Sequence, residues 1–170
     1  MMLPLSLLFV GAVLVLNGLW MTGRIADREI IVINLVTATV TGCVALVTLI
    51  RAETASDIRS VALTLLFTVT YLWVAVNRMN GADGRGLGWF SLFVAISVLP
   101  EAVQTLASAQ TAMQLWLGLC WLAWSALWLL FFLTLVPKWV PERPTALATL
   151  ASGILTAWLP AMFLLNGAVL

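Results

Sequence analysis

Charge is absent from this chain over long stretches. Residues 1–23, 30–50, 60–77, 102–137 and 144–170 contain no Asp, Glu, Lys or Arg. Each of the first three is about the length a helix needs to cross the hydrocarbon core of a bilayer. The stretch 102–137 is too long for one crossing, and Ser108, Gln110, Thr111 and Gln114 within it read as a turn. Six spans result, at about 2–20, 30–50, 60–77, 88–107, 115–136 and 145–166. The loops between them are short and leave no water-soluble domain. The expectation is an all-α integral membrane protein, with one six-helix domain over 1–170. Turn chemistry agrees. Asn80, Gly81, Ala82, Asp83 and Gly84 follow the third span, and Pro137, Pro141 and Pro144 punctuate the fifth loop.

Composition narrows the class. Hydrophobic residues make up 63% of the 170 residues and charged ones 9%, unlike any ordinary soluble domain. A net charge of +1 gives no case for nucleic-acid binding. No Lys or Arg precedes Arg24, so the first span lacks the basic flank of a secretory signal and reads as permanent. Cys43 and Cys120 both fall within spans, where they read as small packing residues and imply no disulfide framework.

Basic residues set the orientation. The first, third and fifth loops contain Arg24, Arg28, Arg78, Arg85, Lys138 and Arg143, whereas the second has only Arg51 and Arg59 and the fourth none. The positive-inside rule then puts the odd loops in the cytoplasm and both termini on the extracytoplasmic side of the cytoplasmic membrane. Three spans per half is an odd number, so two related halves would form an inverted 3+3 repeat.

One motif suggests more than a membrane anchor. Trp121, Trp124 and Trp128 are spaced i, i+3, i+7 in the fifth span and fall on one helix face. Lipid-facing tryptophans gather at the membrane surface. Trp20, Trp89, Trp116 and Trp139 lie near span ends and fit that anchoring role. The stripe at hydrocarbon depth points instead to a protein-lined interior suited to a small, flat, uncharged polar solute. Thr64, Phe67 and Tyr71 repeat the spacing in the third span.

Polar groups inside the spans need partners. Asn17, Asn34 and Asn77 have two readings, as helix–helix hydrogen bonds or as a polar inner vestibule. Thr37, Thr41 and Thr48 fit packing or bonding back to their own helix. Glu101, one turn before Gln104, is the one acid within a span. It reads as a pore-mouth residue or as a solvated or subunit-contact group. The chain has no histidine, no metal-ligand cluster, no phosphate loop and no nucleophile with an evident base, so no cofactor or metal and no enzyme is expected.

Five segments resemble the UreI/AmiS family of urea and amide channels: VGAVLVLNG (10–18), LLFTVTYLWVAVN (65–77), GLGWFSLFVAI (86–96), CWLAWSALW (120–128) and LASGILTAWLPA (150–161). The resemblance implies six-helix protomers in a hexameric ring, each with its own pore. It carries pore positions onto Trp121, Trp124, Leu127 and Trp128, onto Phe67 and Tyr71, and onto Leu3, Leu7 and Leu14. Trp158 belongs to the family pattern without an assigned pore role. Two departures point to the amide branch. Histidines, the pH switch of the acid-gated channels, are absent, and Ser152 stands where that branch has a glutamate.

The function expected is therefore passive, non-acid-gated passage of small neutral amides (acetamide, formamide) or urea. The partners are that solute, membrane lipid and five further copies of the chain. Indole and phenol donors would replace part of the solute's hydration. Two rivals stand beside this: a proton-coupled carrier using Glu101, and a membrane assembly protein without a lumen.

Overall fold

The computed structural model describes residues 2–167. Its helices are α1 (Met2–Met21), α2 (Ile30–Ile50), α3 (Ala55–Asn80), α4 (Arg85–Ser108), α5 (Ala112–Leu135) and α6 (Glu142–Leu165). All six are long and apolar enough to span a bilayer. Helix is the natural choice there, because lipid offers no partner for an open backbone.

α3 and α6 reach past the charge-free stretches, and α5 begins a few residues ahead of its expected span. At the start of α3, the Thr54 hydroxyl accepts from the Asp57 N–H while the Asp57 carboxylate accepts from the Thr54 N–H. Thr111 and Gln114 build the same capping box at the start of α5. Each box satisfies two orphan donors and lets the helix begin in polar sequence. The α3/α4 turn depends on left-handed backbone at Gly81 (φ 66°) and Gly84 (φ 83°), a region that Cβ-bearing residues rarely adopt.

α2 packs on α3 and α4 on α5, while α1 crosses α6. The crossing is close because three glycines face it. A Cβ on Gly11 would lie 2.8 Å from the Trp158 backbone nitrogen, and one on Gly18 would lie 2.7 Å from Leu150 Cβ. From the α6 side, a Cβ on Gly153 would lie 2.8 Å from the Val15 nitrogen.

α6 is not uniform. Glu142–Ser152 is α-helical, Gly153–Trp158 widens into a π turn, and Leu159–Leu165 resumes the α form. Within the turn the Leu159 N–H bonds the Ile154 carbonyl, five residues back. Next in that register, the Leu155 carbonyl would need an N–H from residue 160, but Pro160 has none. The indole N–H of Trp116 on α5 takes its place, 3.1 Å from the Leu155 oxygen. Trp116 therefore does more than anchor a helix end: it completes the backbone bonding of a neighbouring helix.

The remaining polar groups divide between the two expected roles. Thr48 bonds back to the Val44 carbonyl, and Thr41 bonds both the Thr37 carbonyl and the Thr68 hydroxyl. Asn17 and Asn34 form a reciprocal carboxamide pair at 3.2 and 2.8 Å, which ties α1 to α2. Cys120 is buried and Cys43 faces outward.

Candidate solute pathway

A cavity of about 380 Å³ opens at the end of the bundle where the first, third and fifth loops meet. Asn17, Trp20 and Asp27 line it from α1 and its loop, Asn77 and Arg78 from α3, and Glu142 from α6. The mouth is held by charge. Arg78 lies 3.6 Å from the Asp27 carboxylate and 5.2 Å from the centre of the Trp20 ring. The Trp20 N–H donates to Asp27 at 2.7 Å. Trp20 thus belongs to the mouth of a cavity, whereas Trp89 and Trp139, 59% and 78% exposed, face outward as anchors would.

The cavity narrows inward. Asn17, Val74, Leu87 and Phe131 are shared with a second space of about 30 Å³, which Leu14, Thr70, Tyr71 and Trp128 also line. That is room for about one water molecule. Tyr71 is 1% exposed, and its hydroxyl has no hydrogen-bond partner among the described residues. Asn77, Val74 and Tyr71 succeed one another at i, i−3, i−6 along α3, so one face of that helix borders both spaces.

Four rings close the centre of the bundle beyond Tyr71. Phe67 stacks on Trp128 with centroids 4.6 Å apart and planes 17° apart. Its edge contact with Trp124 is at 5.5 Å and its tilted contact with Trp121 at 5.8 Å. Trp121 and Trp124 are themselves edge-to-face at 5.1 Å. Trp124 and Trp128 are buried, and Trp121 is half-buried at the far side of the cluster. The two stripes on α3 and α5 therefore meet.

Two of the three indole N–H groups are not free for a solute, contrary to expectation; the half-buried Trp121 has no hydrogen bond to another described residue. Trp124 donates to the Thr156 hydroxyl at 2.7 Å, and Thr156 donates on to the Ser152 carbonyl at 2.6 Å. Trp128 donates to the Thr70 hydroxyl at 3.3 Å, and Thr70 donates to the Leu66 carbonyl at 3.0 Å. A buried donor takes whatever acceptor lies in reach, because leaving it unpaired costs about 1–3 kcal/mol. The threonines hold the planes of Trp124 and Trp128, and the Tyr71 hydroxyl is left unpartnered beside the small cavity. Thr70 and Thr156 escaped the sequence reading, since each is close to its indole only after folding.

The other candidates separate. Leu7 and Leu127 are buried in the core that holds the four rings, and Leu14 lines the small cavity. Leu3 is 48% exposed at the open end of α1 and lines neither space. Glu101 also lines neither; it lies 3.7 Å from Arg59 on α3, whose guanidinium also bonds Gln104.

Six apolar spans around a polar inlet that leads to a ring-filled centre define a multi-pass membrane transport protein. The chain belongs to the AmiS/UreI family of transporters, which it matches over residues 2–168. A Mycolicibacterium smegmatis protein named as a transporter of amidate substrates is 36% identical, over 95% of this chain and 76% of its own length. The acid-activated urea channel of Helicobacter pylori is 32% identical over 189 aligned positions, covering 96% of this chain and 97% of the relative. That alignment is longer than the chain itself, so the relative carries insertions. The crystal structure of the Helicobacter pylori urea channel superposes with a TM-score of 0.88, at 32% identity and covering 99% of both chains.

Proposed function

We propose that the chain forms a passive channel for small neutral amides or urea in the cytoplasmic membrane. The solute enters through the vestibule, meets the Tyr71 hydroxyl and slips between the rings of Phe67, Trp121, Trp124 and Trp128. The observation that carries this reading is the inlet ending on Tyr71 and Trp128, in a chain whose relatives are named for amide and urea transport. Leu7, Leu14 and Leu127 supply apolar walls, and Leu3 with the exposed edge of Trp121 marks the far mouth. Protomers assemble as a hexameric ring, with both termini extracytoplasmic and the vestibule on the cytoplasmic side, where the odd loops carry most of the basic residues.

Selectivity follows from hydration. A flat neutral amide gives up one or two hydrogen bonds at the rings, each worth on the order of 1–3 kcal/mol when left unmade. An ion in the same dry gap loses several kcal/mol or more of hydration. The Glu101–Arg59 pair stands apart from the inlet, which favours a channel over a proton carrier built on Glu101.

Reconstituted vesicles are expected to pass acetamide, formamide or urea down a gradient at a rate that changes less than about twofold between pH 5 and 7. No imidazole exists to titrate there. At the vestibule, Asp83 accepts from the Arg85 N–H and guanidinium, which holds its carboxyl below the ordinary value, so it stays ionised throughout. Stopped-flow light scattering reads the rate. A steep rise on acidification would refute the ungated reading, and the absence of any solute flux would refute the channel.

A further inference from the structure

We infer that Asn77 is the recognition group of the vestibule, pairing its carboxamide with the carbonyl and N–H of a primary amide or urea. The inference rests on the channel reading above and adds the point at which the solute is first recognised.

Asn77 is 6% exposed, and that small exposure faces the 380 Å³ cavity. Its backbone is fixed, because its carbonyl accepts from the Gly81 and Ala82 N–H groups at the end of α3. The side chain, by contrast, makes no hydrogen bond to another described residue; Asn77 takes part only through its backbone carbonyl. The polar atoms of the side chain are open to the cavity instead of sealed in the core, so their partner there is water or a solute that displaces it.

Two polar neighbours, Asn17 and Arg78, are already engaged, and Glu142 offers a carboxylate that can only accept. Asn17 is paired with Asn34 on both its oxygen and its nitrogen. Arg78 is held by Asp27, by the Ala82 carbonyl and by the Trp20 ring. The Asn17–Asn34 pair also shows, within this protein, what two carboxamides do when they meet: each donates one N–H and accepts one. A primary amide carries that same donor–acceptor edge, and urea carries it twice. A polyol of equal size has no planar edge that donates and accepts side by side.

Position adds to the case. Asn77 lies six residues beyond Tyr71, about 9 Å of helix rise, on the α3 face that borders both cavities. A solute released by Asn77 meets the unpartnered Tyr71 hydroxyl next, so the two groups form successive stations.

The test uses the full chain in vesicles, with acetamide and urea as probes and assembly checked by size-exclusion chromatography. Asn77→Ala is expected to slow both solutes about three- to tenfold, the effect of losing one or two net hydrogen bonds. Asn77→Gln keeps the carboxamide and is expected to recover at least half of that loss. Asn77→Asp can accept two N–H groups of urea but cannot donate to a carbonyl, so the urea-to-acetamide ratio is expected to rise at least threefold. An unchanged ratio in Asn77→Asp overturns the inference whatever the absolute rates, because a merely structural residue slows both probes alike. Should the Asp variant fail to assemble, equal losses in the Ala and Gln variants overturn it instead. A wild-type chain that passes neither probe refutes the channel itself, a distinct result.

Discussion

Trp124→Ala is expected to abolish size discrimination while leaving an assembled, amide-permeable protein. The indole stands edge-on to Phe67 (85°) and to Trp121 (82°), so its removal opens the ring cluster at its middle. Butyramide permeability relative to acetamide is expected to rise about tenfold, a change of roughly 1.4 kcal/mol in relative barrier. Truncating a buried aromatic also costs about 3–5 kcal/mol of stability, so the melting temperature is to be recorded beside the flux. Trp124→Phe separates the two roles of the side chain. It keeps a ring but leaves Thr156 without its indole donor, and a smaller broadening is expected. An unchanged size profile in Trp124→Ala would reduce the four rings to packing.

The second large effect falls on the fold. Gly153→Val is expected to prevent the α1–α6 crossing from closing and to lose most of the folded protein on extraction into detergent. The added Cβ would press on the Val15 nitrogen at 2.8 Å and the Gly11 oxygen at 3.0 Å. Backbone atoms cannot swing aside as a flexible side chain can, so the helices must separate. Overpacking alone costs about 1–3 kcal/mol, and a shifted helix pair forfeits the surrounding contacts as well. Gly42→Ala is the control, since its Cβ would meet Thr68 Cγ2 at an ordinary 3.5 Å. Equal melting temperatures for Gly153→Val and wild type would disprove the tight crossing.

Much of this architecture was legible before folding. Hydropathy located all six helices, because a bilayer demands long uncharged runs. It put the starts of α3 and α5 too late, because requiring charge-free or uniformly apolar sequence discards the polar first turn. The Thr54–Asp57 and Thr111–Gln114 boxes carry that missing information in plain sequence. The aromatic face of α5 was legible from spacing alone, since helical periodicity places Trp121, Trp124 and Trp128 together.

What spacing could not show is who receives the indole protons. Thr156 and Thr70 lie 32 and 58 residues from their partners. The three asparagines illustrate the same limit. Both readings of them were sound, and only the packing assigned Asn17 and Asn34 to each other and left Asn77 facing the cavity. Nor did hydropathy reveal the widened turn of α6, because one more residue in a circuit leaves average apolarity unchanged. Pro160 was the available hint, as a residue that denies an upstream carbonyl its usual donor.

That widened circuit acts as a phase shifter for the end of the chain. One extra residue turns everything beyond it by roughly 100° about the helix axis. With the offset in place, Ala157, Pro160 and Ala161 are buried in the bundle, Met162 is exposed, and Trp158 and Phe163 lie at its edge against α1 and the Trp116 ring. Excising a single position between 153 and 158 would undo the rotation. Larger side chains would then turn towards the places that Ala157 and Ala161 fill, both fully buried, and the terminal two turns would present the wrong face to the bundle.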